Sequence, residues 1–175
     1  MGSASDAGAP ELREALTHKA ESLAVAIAKR DVILLTGATT GIVYLVGKTA
    51  NSAGSFHIGI SPASNQAEHI EQYKLPVDAC EAIVYTGFGL KGRNVVLVRS
   101  SDVVLFIAGA MGSLNEFTIA HDEGKIIGCL TGSGGVADEV DYLVEKFGKR
   151  GKARVFKSED PDELLEKCLA VVSET

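Results

Sequence analysis

The sequence predicts an α/β domain in which a mainly parallel, doubly wound sheet is flanked by helices. Short apolar runs alternate along the chain with segments whose apolar residues recur every three or four positions. The short runs are continuously apolar, as expected of strands that helices cover on both faces. Right-handed crossovers then bring the carboxyl ends of the strands to one edge of the sheet, where ligands bind in such folds.

The first predicted helix covers residues 10–30. It begins with Pro10, because the missing N–H of a proline costs little at the first position of a helix. Its apolar face consists of Leu12, Leu16, Ala20, Leu23 and Ile27. Strands are predicted at 31–37, 55–61, 80–87, 102–109, 125–132 and 153–158. Helices are predicted between and after them at 41–54, 90–101, 113–124, 136–148 and 160–173.

Three of these segments need a further argument. Residues 63–79 are polar and irregular, so they are predicted to form a loop. The valines of 90–101 favour a strand, but a segment between two parallel strands has to be the crossover helix. Helix 160–173 begins with Asp160 as N-cap and Pro161 as its first residue.

The predicted domain organisation is a single Rossmann-like nucleotide-binding domain over 10–175. Folds of this class usually begin with a strand, whereas here a helix comes first. Residues 1–9 are therefore interpreted as a flexible N-terminus or as the remnant of the loop after a first strand.

Composition argues against several classes of function. A net charge of −6 and a pI of about 5.2 over 175 residues are unlike a nucleic-acid binder, which usually has a basic surplus. No apolar run reaches the ~20 residues of a membrane helix, and the first residues have no apolar signal core, so we expect a cytoplasmic protein that does not bind membranes. The three cysteines and four histidines have no metal-ligand spacing, so neither a metal nor a cofactor is predicted.

Turns rich in glycine and hydroxyl side chains follow three of the predicted strands, at 36–41, 86–94 and 108–113, and a fourth lies at 131–135. Small residues let backbone N–H groups approach a ligand, and a following helix adds unpaired donors and a positive dipole end. Together they predict a phosphate site. Its expected residues are Gly37, Ala38, Thr39, Thr40, Gly41, Thr86, Asn94, Gly109, Ala110, Met111, Gly112 and Ser113. The alternative is that the glycines serve only tight turns.

The segment "GRNVVLVRSSDVVLFIAGAMGSLNEF" resembles the LOG-like branch of the Rossmann-like nucleotide-binding proteins once labelled lysine decarboxylase-like, in the SLOG superfamily. That family has an arginine at a helix start, then a strand, then a glycine turn of the type PGGxGTxxE. The resemblance extends from about residue 10 onward. It implies that Arg93 and Glu116 are needed to split a nucleoside 5′-monophosphate into base and ribose 5-phosphate. It also implies a homodimer or a higher homo-oligomer.

The sequence departs from the family pattern at several positions, among them Asn94, Ala108 and Ala110. Alanine at 110 stands where the family has its second glycine; it adds a methyl group and disfavours a positive φ. A non-catalytic carrier of a nucleotide or a phosphorylated pterin therefore stays open as the alternative. The nearby molybdenum-cofactor carrier proteins, which the chain also resembles, have that role.

Structural interpretations of the two key residues also stay open. Ser113 and Glu116 fit the capping box S-x-x-E, in which the acid only completes a helix start. Arg93 is otherwise a solvated side chain near a helix start, where a positive charge is mildly unfavourable unless an anion compensates it.

Two other functions are not supported. No G-x-G-x-x-G with a downstream acid indicates a dinucleotide oxidoreductase. Lysine decarboxylation lacks a candidate site for pyridoxal phosphate.

Overall fold

The computed structural model describes residues 10–148 and 152–172. These residues divide into two compact units, here called the N-terminal unit (10–97) and the C-terminal unit (98–172). The expectation for residues 1–9 lies outside the described residues, and a single domain over 10–175 stays a prediction. None of the described helices is long and apolar enough to cross a membrane.

The N-terminal unit alternates helices with a parallel sheet of three strands in the order β1-β2-β3. Its elements are α1 (Pro10–Ala28), β1 (Leu34–Thr36), α2 (Ile42–Ser52), β2 (His57–Ser61), α3 (Gln66–Glu71), β3 (Ala82–Tyr85) and α4 (Gly89–Arg99), whose last two residues belong to the other unit. The predicted inner face of α1 is buried at Ala20, Leu23 and Ile27, and α1 packs against α2.

The C-terminal unit has a second parallel sheet, in the order β4-β5-β6. Its elements are β4 (Val103–Ile107), α5 (Met111–Asp122), β5 (Ile126–Leu130), a 3₁₀ helix (Gly135–Ala137), α6 (Val140–Phe147), β6 (Arg154–Ser158) and α7 (Pro161–Val172). The core contains Phe106 and Ile127, both fully buried, and the ring of Phe106 meets Phe117 edge-on at 5.7 Å between centroids.

The α/β class and the parallel strands are confirmed. The segment with three valines is helical, as its place between two strands required. Asp160 caps α7, because its Oδ1 accepts from the N–H of Glu163 at 2.8 Å.

The prediction of a loop at 63–79 was wrong in part, since this segment contains the helix α3. Asn65 caps it by accepting from the N–H of Glu68 at 2.9 Å. Helix α3 has this cap but only two apolar residues, Ala67 and Ile70, so its sequence has no clear apolar face.

The predicted helix at 136–148 is interrupted. The N–H groups of Val136 and Ala137 donate to the carbonyls of Gly109 and Ala108, each at 3.0 Å. These bonds hold residues 135–137 as a 3₁₀ turn, so α6 begins only at Val140.

Candidate functional site

The first glycine turn, Thr36–Gly41, lies between β1 and α2 in the N-terminal unit. Ala38 has a φ of 49°, a left-handed conformation that alanine rarely adopts. Gly41 is the N-cap of α2 and has a φ of 72°, so it needs the freedom of glycine. Thr40 and Gly41 are exposed, whereas Gly37 and Ala38 are buried.

Arg93 lies directly against the first glycine turn. A Cβ added to Gly37 would fall 1.6 Å from Nη1 of Arg93, so the guanidinium covers the α-carbon of this glycine. Arg93 is 6% exposed and Asn94 is 3% exposed. The interpretation of Arg93 as a solvated side chain was therefore wrong.

His57 holds the backbone of the first glycine turn through a chain of hydrogen bonds. Its Nδ1 faces the carbonyl of Ala79, which can only accept, so Nδ1 carries the proton. Its Nε2 then accepts from the hydroxyl of Thr36 at 2.8 Å. The Thr36 oxygen in turn accepts from the N–H of Ala38 at 3.3 Å. The left-handed Ala38 is thus tied to a fully buried imidazole.

The same arrangement occurs at the end of β2. His69 donates from Nε2 to the carbonyl of Pro76 at 3.0 Å, and its Nδ1 accepts from the hydroxyl of Ser61 at 2.8 Å. The Ser61 oxygen accepts from the N–H of Ala63 at 3.0 Å. Both histidines therefore connect a strand end to the segment 72–80.

Thr86, at the end of β3, is also used by the backbone. Its hydroxyl donates to the carbonyl of Ser61 at 2.7 Å and accepts from the N–H of Phe88 at 3.4 Å. Because β2 lies between β1 and β3, Thr86 is not on the strand next to the first glycine turn. Its assignment to the ligand stays a prediction.

The second glycine turn, Ala108–Ser113, lies between β4 and α5 in the C-terminal unit. Ala108 has a φ of 50° and Gly109 a φ of 109°. Ala110 is extended, with a φ of −117°, so alanine at this position costs no backbone strain. Gly109 is the residue that must stay glycine, since an added Cβ would lie 2.7 Å from the Cβ of Ser113.

The fourth glycine-rich stretch, 131–135, is joined to the second glycine turn. The hydroxyl of Ser133 accepts from the N–H of Ala108 at 2.7 Å and donates to the carbonyl of Leu130 at 2.5 Å. The backbone of Gly135 packs directly against the second glycine turn, because a Cβ at this position would lie 2.1 Å from the carbonyl oxygen of Gly109. The two glycine-rich stretches therefore form one rigid loop pair.

The capping box at Ser113 was wrong. Helix α5 begins at Met111 with Ala110 as its N-cap, so Ser113 is already in the first turn. Ser113 and Glu116 lie on the inner face of α5 with Phe117, and the two polar residues are 2% and 7% exposed. Since a buried carboxylate is costly, Glu116 is not explained as a helix cap.

The helices that follow the two glycine turns begin without side-chain caps. Their N-cap residues, Gly41 and Ala110, have no side-chain acceptor, and neither first turn contains an acid. By contrast, Asn65 caps α3 and Asp160 caps α7. At both helix starts, the N-cap residue therefore offers no side-chain acceptor to the first N–H groups.

The cysteine thiols are poorly suited to act as nucleophiles, and the described residues form no metal site. Cys129 and Cys168 are buried, and burial raises the pKa of the two thiols to about 12 and about 11. The pKa of the half-buried Cys80 is raised to about 11 for the same reason. Within residues 10–148 and 152–172, no cluster of three or more His, Cys, Asp or Glu residues could hold a metal ion.

Sequence reasoning missed His57, His69 and Ser133 as parts of the turns. The sequence has no local signal for the histidines, because His57 lies 21 positions from Thr36 and His69 lies 8 positions from Ser61. For Ser133 the signal was its place in a glycine-rich stretch beside the second glycine turn.

Comparison with known proteins gives a consistent picture. The profile of the SLOG cluster4 family matches residues 1–165. An uncharacterized protein of Archaeoglobus fulgidus is 29% identical over 123 residues, which are 70% of this chain and 76% of that protein.

Solved structures with the same fold include the structural genomics protein TM1055, with a TM-score of 0.79, 23% identity and coverage of 100% of this chain and 96% of that one. The molybdenum cofactor binding protein of Rippkaea orientalis has a TM-score of 0.73 at 25% identity, covering 98% and 94%. The Moco carrier protein of Chlamydomonas reinhardtii has a TM-score of 0.76 and 23% identity, and the match covers 100% of this chain and 96% of that one.

The burial of His57 predicts a pH-dependent stability. Burial lowers the pKa of His57 below its ordinary value of 6.5, so the unfolded chain binds the extra proton first as pH falls. The stabilisation is complete above about pH 6.5 and is lost as pH falls toward the lower pKa of the folded protein. Urea unfolding at pH 7.0, 6.5, 6.0 and 5.5 should show a decreasing free energy of unfolding. In the variant His57→Asn, which cannot take up this proton, the free energy of unfolding should decrease less over the same pH range. An equal pH dependence in the two proteins would contradict the lowered pKa of His57.

Proposed function

The chain belongs to the SLOG cluster4 family, and from this membership and its two glycine turns we propose that it binds a small phosphorylated ligand of nucleotide or pterin type. The observation that carries the proposal is that a helix with no side-chain cap follows each glycine turn. The positive end of the helix dipole, which no acid in the first turn offsets, favours an anion there.

The backbone strain in both turns supports the same function. Ala38 and Ala108 adopt φ values of 49° and 50°, which cost an L-residue roughly 1–2 kcal/mol each. Each is held there by a hydroxyl that accepts a hydrogen bond from its own N–H, Thr36 for Ala38 and Ser133 for Ala108. Strain of this kind concentrates at ligand sites, where the shape of the backbone is fixed before binding.

Arg93 supplies a positive charge beside the first glycine turn. Its guanidinium covers Gly37, and a planar cation at this place suits a phosphate or a sugar hydroxyl. The fit requires glycine at 37, because any side chain there would displace the guanidinium.

Within this function, the first candidate is hydrolysis of the N-glycosidic bond of a nucleoside 5′-monophosphate. The bond between the base and C1′ breaks, water forms the new bond to C1′, and the proton of the water goes to the leaving base. Positive charge develops on the ribose in the transition state, and the carboxylate of Glu116 would stabilise it and orient the water. The burial of Glu116 favours this role, because a carboxylate acts more strongly away from bulk water.

Glu116→Gln tests the hydrolase directly. The variant should bind AMP as the natural protein does, but free adenine should appear at least about 100-fold more slowly, since the amide carries no charge. Binding is measured by calorimetry and adenine release by chromatography. Glu145→Gln, at an exposed position of α6, is the matched control and should keep full activity. Equal turnover in Glu116→Gln would exclude the mechanism.

The second candidate is a carrier that binds a phosphorylated pterin without chemistry. It is favoured by two similar structures, which are named as a molybdenum cofactor binding protein and a Moco carrier protein. Protein purified without chelators should then carry a fluorescent pterin after acid release and oxidation, and should release no base from AMP. Protein that holds no pterin, and does not bind one when it is added, would exclude the carrier.

We also propose that the protein is a homodimer formed through the N-terminal unit. Apolar side chains on the edge strand β3 and on α4 are exposed there: Val84 48%, Leu90 50% and Val95 40%. An exposed apolar strand edge invites a partner.

Val95→Lys tests the dimer. It should yield monomers in size-exclusion chromatography with light scattering, because a charge would be buried in the contact. Val25→Lys, at a valine of α1 with 41% exposure, is the control and should stay dimeric. A dimer in both variants would place the contact elsewhere.

A further inference from the structure

A groove in the N-terminal unit begins at the first glycine turn. It has a volume of about 480 Å³, within the range of small-molecule sites, and its lining is Thr40, Tyr44, Ile70, Lys74, Leu75 and Pro76. Thr40 immediately precedes Gly41, the N-cap of α2. The groove therefore adjoins a helix start that has neither a side-chain cap nor an acid in its first turn.

The walls of the groove are apolar and one of them is a flat ring. Ile70, Leu75 and Pro76 lie among its lining residues with the phenol ring of Tyr44. The Tyr44 hydroxyl donates to Oδ2 of Asp78 at 3.0 Å and accepts from Nζ of Lys48 at 2.8 Å. These bonds hold the phenol oxygen between Asp78 and Lys48, and the flat ring is suited to stacking with a planar heterocycle.

The loop wall of the groove is held by the buried His69. His69 donates to the carbonyl of Pro76, and the N–H of Leu75 donates to the carbonyl of His69 at 3.1 Å. Lys74, next to them, has a φ of 54°, so the loop makes a sharp turn before this fixed segment. The loop wall of the groove is thus attached to the end of β2 through Ser61.

The charge at the groove matches an anionic occupant. Lys74 lines it, and Lys48 lies 5.2 Å from the centroid of the Tyr44 ring. Asp78 offsets Lys48, to which it is paired at 2.7 Å. Lys74 and the start of α2 leave the positive charge in excess.

We infer that this groove binds the planar heteroaromatic ring of the ligand, with Tyr44 as the residue that stacks on it. The inference rests on the proposed function. It adds the part of the site that would make the protein bind phosphates with an aromatic ring more tightly than simple sugar phosphates. His69 acts here as a positioning residue, since it bonds to the lining residues Leu75 and Pro76 and does not itself line the groove.

The test compares ligands with and without a ring. Calorimetry gives the affinities of AMP and 6-hydroxymethylpterin phosphate, and of ribose 5-phosphate and inorganic phosphate. Tyr44→Leu should weaken the better ring-bearing ligand about 5- to 100-fold, the range for loss of one base–aromatic stack, and leave ribose 5-phosphate unchanged. Tyr142→Leu, at a tyrosine of α6 with 56% exposure, is the matched control and should bind as the natural protein does.

Ile70→Trp is a second variant that does not depend on removing a side chain. Ile70 is 41% exposed, so a larger residue can be added without repacking the core, and it should block the groove to the ring alone. Ring-bearing ligands that bind both variants with unchanged affinity would overturn the inference while the proposed function stands. If none of the four ligands binds the natural protein, the proposed function fails, and the inference fails with it.

Discussion

At the carboxyl end of a parallel strand the backbone leaves its ladder of hydrogen bonds while its N–H groups are still partly buried, and each needs a new acceptor. In four strands a hydroxyl side chain at the strand end accepts from the N–H two residues later. The pairs are Thr36–Ala38, Ser61–Ala63, Thr86–Phe88 and Ser158–Asp160, at 3.0–3.4 Å. This bond turns the chain away from the sheet within two residues. The next helix can then start close to the sheet edge, and its first N–H groups point outward.

A hydroxyl that accepts in this way can also donate its own proton to a second group. The source of the hydroxyl and the group to which it donates differ between the first and the second glycine turn. In the N-terminal unit Thr36 and Ser61 donate to buried imidazoles, whose other nitrogens bind carbonyls of 72–80. One set of bonds therefore fixes the first glycine turn and the wall of the groove together. In the C-terminal unit β4 ends in Ile107 and Ala108, which have no hydroxyl. Ser133 provides it from the loop after β5, so the second glycine turn depends on its neighbouring strand.

Most of the fold could be predicted from the sequence, because continuous apolar strands and periodic helices are local patterns. The helix α4 required tertiary reasoning, since its valines alone favour a strand. The errors came from bonds between distant residues. The N–H groups of Val136 and Ala137 bind the second glycine turn and shorten α6, which no local pattern indicates. Likewise, Ser113 could be taken for a cap because sequence does not show that α5 starts two residues earlier. The glycine turns were predictable, but the His57 imidazole that holds the first and the Ser133 hydroxyl that holds the second were not.

The backbone conformation of the second glycine turn explains why alanine can replace the second glycine of the family pattern. A positive φ falls on Gly109, where a side chain would strike Ser113, whereas Ala110 is extended and keeps its methyl group without strain. The substitution of alanine for the family's second glycine therefore leaves the path of the backbone intact. What it changes is the space in front of the helix, where an exposed methyl group now stands beside the first N–H groups of α5. If a ligand binds at this turn, as we propose, it has to accommodate that methyl group, so the substitution affects which ligands fit more than whether the turn can bind an anion.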